Sequence, residues 1–70
     1  MIKDLLNLIE SGWDIRLYST AKRIDGKFEV RYCWKAQYMA FEFESRWEGF
    51  KDGLACITDL IHESTKILES

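Results

Sequence analysis

The stretch WDIRLYSTAKRIDGKFEVRYCW, residues 13–34, decides the fold, because apolar residues recur at alternate positions on both sides of Asp25-Gly26. Such alternation is typical of strands with one buried face, and Asp-Gly favours the two-residue turn of a hairpin. We therefore predict an antiparallel hairpin with an apolar face. A two-residue turn sets three pairs opposite each other: Leu17 with Trp34, Ser19 with Tyr32, and Ala21 with Val30.

Apolar residues at helical spacing flank the hairpin on both sides. They predict a first helix over residues 2–11 through Ile2, Leu5, Leu6 and Ile9, with Leu8 on its flank and Gly12 as the C-terminal cap. Ser45 with Glu48 has the spacing of a capping box and predicts the start of a second helix. Its apolar stripe comprises Trp47, Phe50, Leu54, Ile57, Ile61, Ser64 and Leu68.

Two glycines interrupt the second predicted helix. Gly49 and Gly53 share a flank with Cys56, Leu60 and Ile67, which indicates a close-packing groove for the first helix. The alternative is that regular helix begins only after Gly53, since each glycine disfavours a helix by about 1 kcal/mol relative to alanine.

A third strand is predicted between the hairpin and the second helix. Met39, Phe41 and Phe43 would point inward, and Tyr38, Ala40, Glu42 and Glu44 outward, with the turn at Ala36-Gln37. The sequence thus predicts one α+β domain over residues 1–70. Its order is αβββα, a three-stranded antiparallel meander with two helices on one face.

Composition excludes several classes of protein. Twelve acidic and ten basic residues leave a net charge of −2, which favours neither bulk nucleic-acid binding nor acidic mimicry. Charged and polar residues interrupt the apolar start, so we expect neither a signal peptide nor a membrane span. Two cysteines make no disulfide framework, and a cytoplasmic location is expected.

No pattern in the chain predicts catalysis, a metal site or a cofactor. The single histidine, His62, lies on the polar side of the second helix, and Glu42 with Glu44 is expected to form ordinary cross-strand pairs. Cys33 is expected on the solvent-facing side of the sheet and Cys56 among the helices. With the sheet between them, they should not form a bridge.

The open sheet face is the strongest candidate for a binding surface. We expect it to present Arg16, Tyr18, Arg31, Cys33, Lys35, Tyr38 and Ala40. Aromatic residues and arginine are typical of interaction hot spots, although tyrosine also favours strands, and Arg31 with Glu42 would form a cross-strand ion pair. An alternative nucleic-acid contact comprises the bases of the first hairpin, chiefly Lys22, Arg23 and Lys27.

The αβββα order resembles that of the double-stranded RNA-binding domain, which implies RNA binding. Where that family has a basic cluster at its last helix this chain has Arg46 to Lys51, and Ile24-Asp25-Gly26-Lys27 replaces the family's Gly-Pro loop, so no phosphate-binding residue is carried over. The opening IKDLL, then Ile9 and the alternation from Trp13 to Leu17, is similar to small phage-encoded inhibitors of type II-A CRISPR systems. That resemblance implies an inhibitor, although the dense acidity of those proteins is missing here.

Three functions follow from these observations. The first is a small non-catalytic protein-interaction module, of inhibitor or adaptor type, that uses the open sheet face to bind a protein partner or its own copy. The second is nucleic-acid binding by a domain like the double-stranded RNA-binding domain, through the basic hairpin. The third is a homodimeric structural protein with no separate activity.

Overall fold

The computed structural model describes residues 2–69, and they form five elements in the predicted αβββα order. The three strands make one antiparallel sheet in the order β1-β2-β3, so the α+β meander is confirmed. The elements are α1 (Ile2–Glu10), β1 (Asp14–Ile24), β2 (Lys27–Tyr38), β3 (Phe41–Glu44) and α2 (Gly53–Glu69).

The hairpin of β1 and β2 forms as its sequence predicts. Asp25 and Gly26 take φ values of 51° and 76°, the positive values that a two-residue turn of type I′ requires. Pairing then runs without a bulge from Ile24 opposite Lys27 to Asp14 opposite Gln37. The three predicted pairs are confirmed, because turn and alternation specify the same register.

The prediction for β3 is wrong in its boundary and register. β2 continues through the predicted turn at Ala36-Gln37 to Tyr38, and the chain turns at Met39-Ala40, where Met39 takes a φ of 55°. Phe43 therefore lies opposite Ala36. A left-handed methionine is uncommon, so the sequence carried little signal for a turn at this point.

The predicted start of α2 at Ser45 is also wrong. The Ser45 hydroxyl accepts a hydrogen bond from the Trp34 amide at 3.1 Å. Phe50 exchanges backbone hydrogen bonds with Tyr32 at 2.7 and 2.8 Å, so this residue pairs with β2 as an isolated antiparallel bridge. These partners replace those of a helical turn, and α2 begins at Gly53, near the alternative start. Asp52 caps it by accepting a hydrogen bond from the Leu54 amide at 3.3 Å.

The core lies between one face of the sheet and both helices. Its buried members are Leu8, Trp13, Trp34, Ala36, Cys56 and Leu60. The indole Nε1 of Trp34 donates to Asp59 of α2 at 3.0 Å, and this hydrogen bond anchors the helix on the sheet. Burial of Leu8 contributes about 2 kcal/mol toward holding α1, which is too short to be stable alone.

The helices bury only part of the apolar stripes that the sequence predicts. In α2 the flank with Cys56 and Leu60 is buried together with Ser64, whereas Leu54, Leu68 and Trp47, before the helix, are exposed. In α1 only Leu8 is fully buried, and Ile2, Leu6 and Ile9 are exposed. The predicted glycine groove is absent from the described residues, because Gly49 is not helical and Gly53 faces the Tyr32 ring instead.

Candidate protein-contact surface

The distal part of the hairpin projects beyond both helices. Residues 20–31, here called the hairpin arm, follow the last row of the sheet that α2 reaches, where Tyr32 lies beside Gly53. Residues 16–28 are all exposed. The molecule is accordingly elongated, with principal extents of 44 × 24 × 17 Å.

The apolar face of the hairpin continues along the arm without a cover. Phe28 exposes 71% of its surface and Val30 exposes 39%, although both lie on the face that buries Trp34. Ala21 lies opposite Val30 on the same face. An apolar strand face exposed to water is unfavourable in an isolated monomer, so this face is a candidate contact surface.

The length and direction of α2 explain the missing cover. The helix begins beside Tyr32 and passes Trp34 at Asp59, so it runs toward the end of the sheet opposite the hairpin turn. A strand of eleven residues is about 36 Å long, and a helix of 17 residues about 26 Å. The arm is therefore left outside the helical layer.

The structure brings together only part of the predicted open-face site. Arg16, Tyr18, Arg31 and Lys35 do lie on the face away from the core. Tyr38 does not, because it stacks on Trp13 at a centroid distance of 5.0 Å, on the core side of β2. Ala40 lies in the turn before β3 and is not on either face of a strand.

Cys33 is on the open face but is buried, so the prediction of an accessible thiol is wrong. It exposes 5% of its surface. The segment before α2 folds over it, and a Cβ atom added to Gly49 would lie 2.8 Å from the Cys33 Sγ atom. Cys33 and Cys56 are both free thiols. Burial raises the pKa of the Cys56 thiol, with Cys33 and Asp59 adding to the shift.

Two ion pairs lie on the remainder of the open face. Arg31 forms an ion pair with Glu29, not with Glu42 as expected, and the hydrogen bond lowers the pKa of the Glu29 carboxyl. Lys35 lies 3.9 Å from Glu44 across the strands. Partial desolvation, with the neighbouring Cys33 thiol, raises the pKa of the Tyr18 phenol.

The bases of the alternative nucleic-acid site lie together at the end of the arm. Lys22 is opposite Glu29, Arg23 is opposite Phe28, and Lys27 is adjacent to the turn. Lys22 and Lys27 share the open face, whereas Arg23 lies on the apolar one, because faces alternate along a strand. Asp25 and Glu29 lie within the same group and offset part of its charge.

Trp47 is an exposed aromatic residue, whereas the sequence predicts it on the apolar stripe of the second helix. It exposes 92% of its surface, in the segment between β3 and α2. Arg46 shapes this segment by donating to the Gly49 carbonyl oxygen at 3.2 Å and by lying 4.4 Å above the Phe50 ring. The signal that could have placed Trp47 outside the helix was Gly49, two residues further on.

The sequence places Phe28 and Val30 on the apolar face of the hairpin but does not mark them as binding residues. Alternation correctly assigned their face, but it contains no information on how far a distant helix extends. A comparison of the strand and helix lengths could have indicated the uncovered rows.

Neither metal-binding geometry nor similarity to known proteins assigns a function to the described residues. Among residues 2–69, no group of three histidine, cysteine or acidic side chains could hold a metal ion, and no helix is long and apolar enough to cross a membrane. Comparisons with protein-family models, curated proteins and solved structures find no match to this chain.

Proposed function

We propose that the chain is a small non-catalytic interaction module of the cytoplasm that binds a protein through the apolar face of its hairpin arm. The observation that carries the proposal is the exposure of Phe28 and Val30 on the strand face that elsewhere forms the core. The proposed contact surface is therefore the apolar face of the arm. It is not the open sheet face that the sequence predicts, where Cys33 is buried.

A partner that buries Phe28 removes a ring of a type that carries much of the energy of interfaces. The arm needs little ordering to bind, since its turn and its unbroken register with β2 already fix its backbone. Free cysteines at both positions are consistent with a reducing compartment.

Site-specific photo-crosslinking tests the proposal. A benzophenone side chain replaces Phe28 in one variant and Met39 in a matched control, because both residues are exposed and lie in or beside turns of the sheet. In cells that express the protein, we expect an adduct of higher mass from position 28 and little from position 39. Absence of an adduct at 28, or equal yields at both positions, refutes the arm as contact surface.

Nucleic-acid binding is the second candidate, supported by Lys22 and Lys27 on one face of the arm. Contacts to phosphate make affinity fall steeply as salt rises. Gel shifts with single-stranded DNA and double-stranded RNA at low salt test it, with Lys22→Gln/Lys27→Gln as the comparison. A salt-dependent shift that this variant loses supports it, and no shift at low salt excludes it.

A further inference from the structure

Among residues 2–69, no strand lies beside the outer edge of β1. The backbone N–H and C=O groups of Tyr32 bond to Phe50, on the side of β2 away from β1. Because the direction of these hydrogen bonds alternates from one residue to the next along a strand, the backbone of Cys33 bonds toward β1. Tyr18, opposite Cys33, therefore bonds toward β2. Leu17 and Ser19, its neighbours, direct their N–H and C=O groups outward.

The central part of this edge lacks the features that protect edge strands from pairing. β1 has eleven residues, contains no proline and shows no bulge in its pairing with β2. Arg16 and Lys22 flank its central part, which itself carries no charge from Leu17 to Ala21. Such an edge is competent to add a strand.

We propose that the occupant of this edge is β1 of a second copy of the chain, paired antiparallel about a two-fold axis at Tyr18. This inference rests on the proposed function and names its partner. Pairing of residues 14–22 with the same residues of the partner gives about eight backbone hydrogen bonds. The two sheets join into one sheet of six strands.

Charge selects this register. With Tyr18 on the axis, Asp14 lies opposite Lys22 of the partner subunit, and symmetry provides the pair twice. A shift that places Ser19 on the axis sets Arg16 opposite Lys22 of the partner subunit, also twice. Like charges directly opposite destabilise strand pairing, whereas opposite charges favour it.

The same register places the arm beside the body of the partner subunit. Ala21 lies beside Ile15 of the partner subunit, and its cross-strand neighbour Val30 extends that row. Ile15 packs against the core beneath the helices. The uncovered end of each hairpin is thus placed against the helix-covered end of the other.

The exposed area matches what a dimer needs. The chain exposes 5437 Å², whereas a compact monomer of 8.3 kDa exposes about 4,600 Å². Its radius of gyration is 13.3 Å, against about 11 Å for a compact domain of this length. An excess of about 800 Å² per copy gives about 1,600 Å² for two, the size of a standard specific interface.

Cysteine crosslinking tests the axis. In a Cys33→Ala background, which prevents an internal bridge, Tyr18→Cys places two thiols on the axis with Cα atoms about 4.5 Å apart, within disulfide reach. Thr20→Cys is the control, because its two copies would lie about 13 Å apart. We expect a covalent dimer on mild oxidation from position 18 only. Equal yields at both positions, or no dimer from position 18, overturn the register.

Sedimentation equilibrium tests whether the dimer depends on the β1 edge and on the pairing of Asp14 with Lys22 of the partner subunit. Ser19→Pro removes an outward N–H and no internal hydrogen bond, so it should give a folded monomer, whereas Ser19→Thr should remain dimeric. Lys22→Asp should weaken the dimer roughly tenfold, and adding Asp14→Lys should restore it. If neither Ser19→Pro nor Lys22→Asp weakens the dimer, the dimer is formed by another surface and the inference is refuted.

The two proposals can fail separately. If the wild type stays monomeric up to about 1 mM and the adduct at position 28 contains another protein, self-pairing is refuted and the proposed function stands. If position 28 gives no adduct and the protein is monomeric, both are refuted. An adduct of twice the chain mass, together with the bridge at position 18, supports both.

Discussion

Gly49 lies so close to Cys33 that a Cβ atom on the glycine would be 2.8 Å from the Sγ atom and 3.0 Å from the Tyr32 carbonyl oxygen. Its φ of 72° also disfavours any side chain. We expect Gly49→Ala to lower the free energy of unfolding by about 3 kcal/mol, through backbone strain and overlap together.

Gly26→Ala is the matched control for that prediction. Gly26 has a φ of 76°, but nothing lies within 4 Å of an added Cβ atom. This variant should lose only about 1 kcal/mol, the cost of the left-handed backbone. Urea denaturation measures both, and equal losses would show that the contact with Cys33 is unimportant.

Ser64→Ala should stabilise the protein. The Ser64 side chain is buried, and its hydroxyl has no hydrogen-bond partner among the described residues. Alanine removes that unpaired group and favours a helix, for a gain of about 1 kcal/mol. Thr65→Ala, at an exposed residue whose hydroxyl donates to the Ile61 carbonyl, should be nearly neutral. Destabilisation by Ser64→Ala in thermal unfolding would contradict the unpaired hydroxyl.

Both thiols should react slowly in the folded protein. Cys33 and Cys56 are buried, on opposite sides of the sheet. We expect labelling by an aromatic disulfide reagent to require opening of the structure and to become fast for both thiols in denaturant. Gly49→Ala should accelerate Cys33 selectively, since it displaces the segment that covers this thiol. A fast phase from one native thiol would disprove its cover.

Stability should fall at alkaline pH because burial raises the pKa of Cys56. The unfolded thiol ionises near pH 8.5, while the folded thiol stays neutral. The contribution is thus complete below about pH 8.5 and is lost as the pH rises toward the folded pKa. Urea denaturation between about pH 7.5 and 9.5 should show a decline that is smaller in Cys56→Ala. Equal declines would exclude Cys56 as the cause.

The parts of the fold that the sequence predicts are those that local chemistry determines. Asp25-Gly26 and the flanking alternation specify every pair of β1 with β2, and Gly12, with a φ of 103°, ends α1 as expected. No such local signal marks the turn at Met39-Ala40. The start of α2 depends on the pairing of Phe50 with Tyr32, which is a tertiary contact that no helical pattern contains.

For the candidate surface, too, local sequence determines the face on which a residue lies, and tertiary contacts determine whether it is buried. Alternation assigns Phe28 and Val30 to the apolar face, but only the docking of α2 through Asp59 and Trp34 leaves them uncovered. Conversely, Cys33 is assigned to the correct face and is covered by Gly49, across a connection with no regular structure. Burial in both cases depends on elements distant in sequence.

Because the pairing along the arm is unbroken, the arm can change in length during evolution while the rest of the fold is kept. Removal of Arg23, Ile24, Lys27 and Phe28 would bring Lys22 and Glu29 to the same Asp25-Gly26 turn, with every remaining side chain on its original face. All four positions are exposed, so the body tolerates a shorter or longer arm in steps of two residues per strand. Reach and partner choice can thereby change while the folded body stays constant.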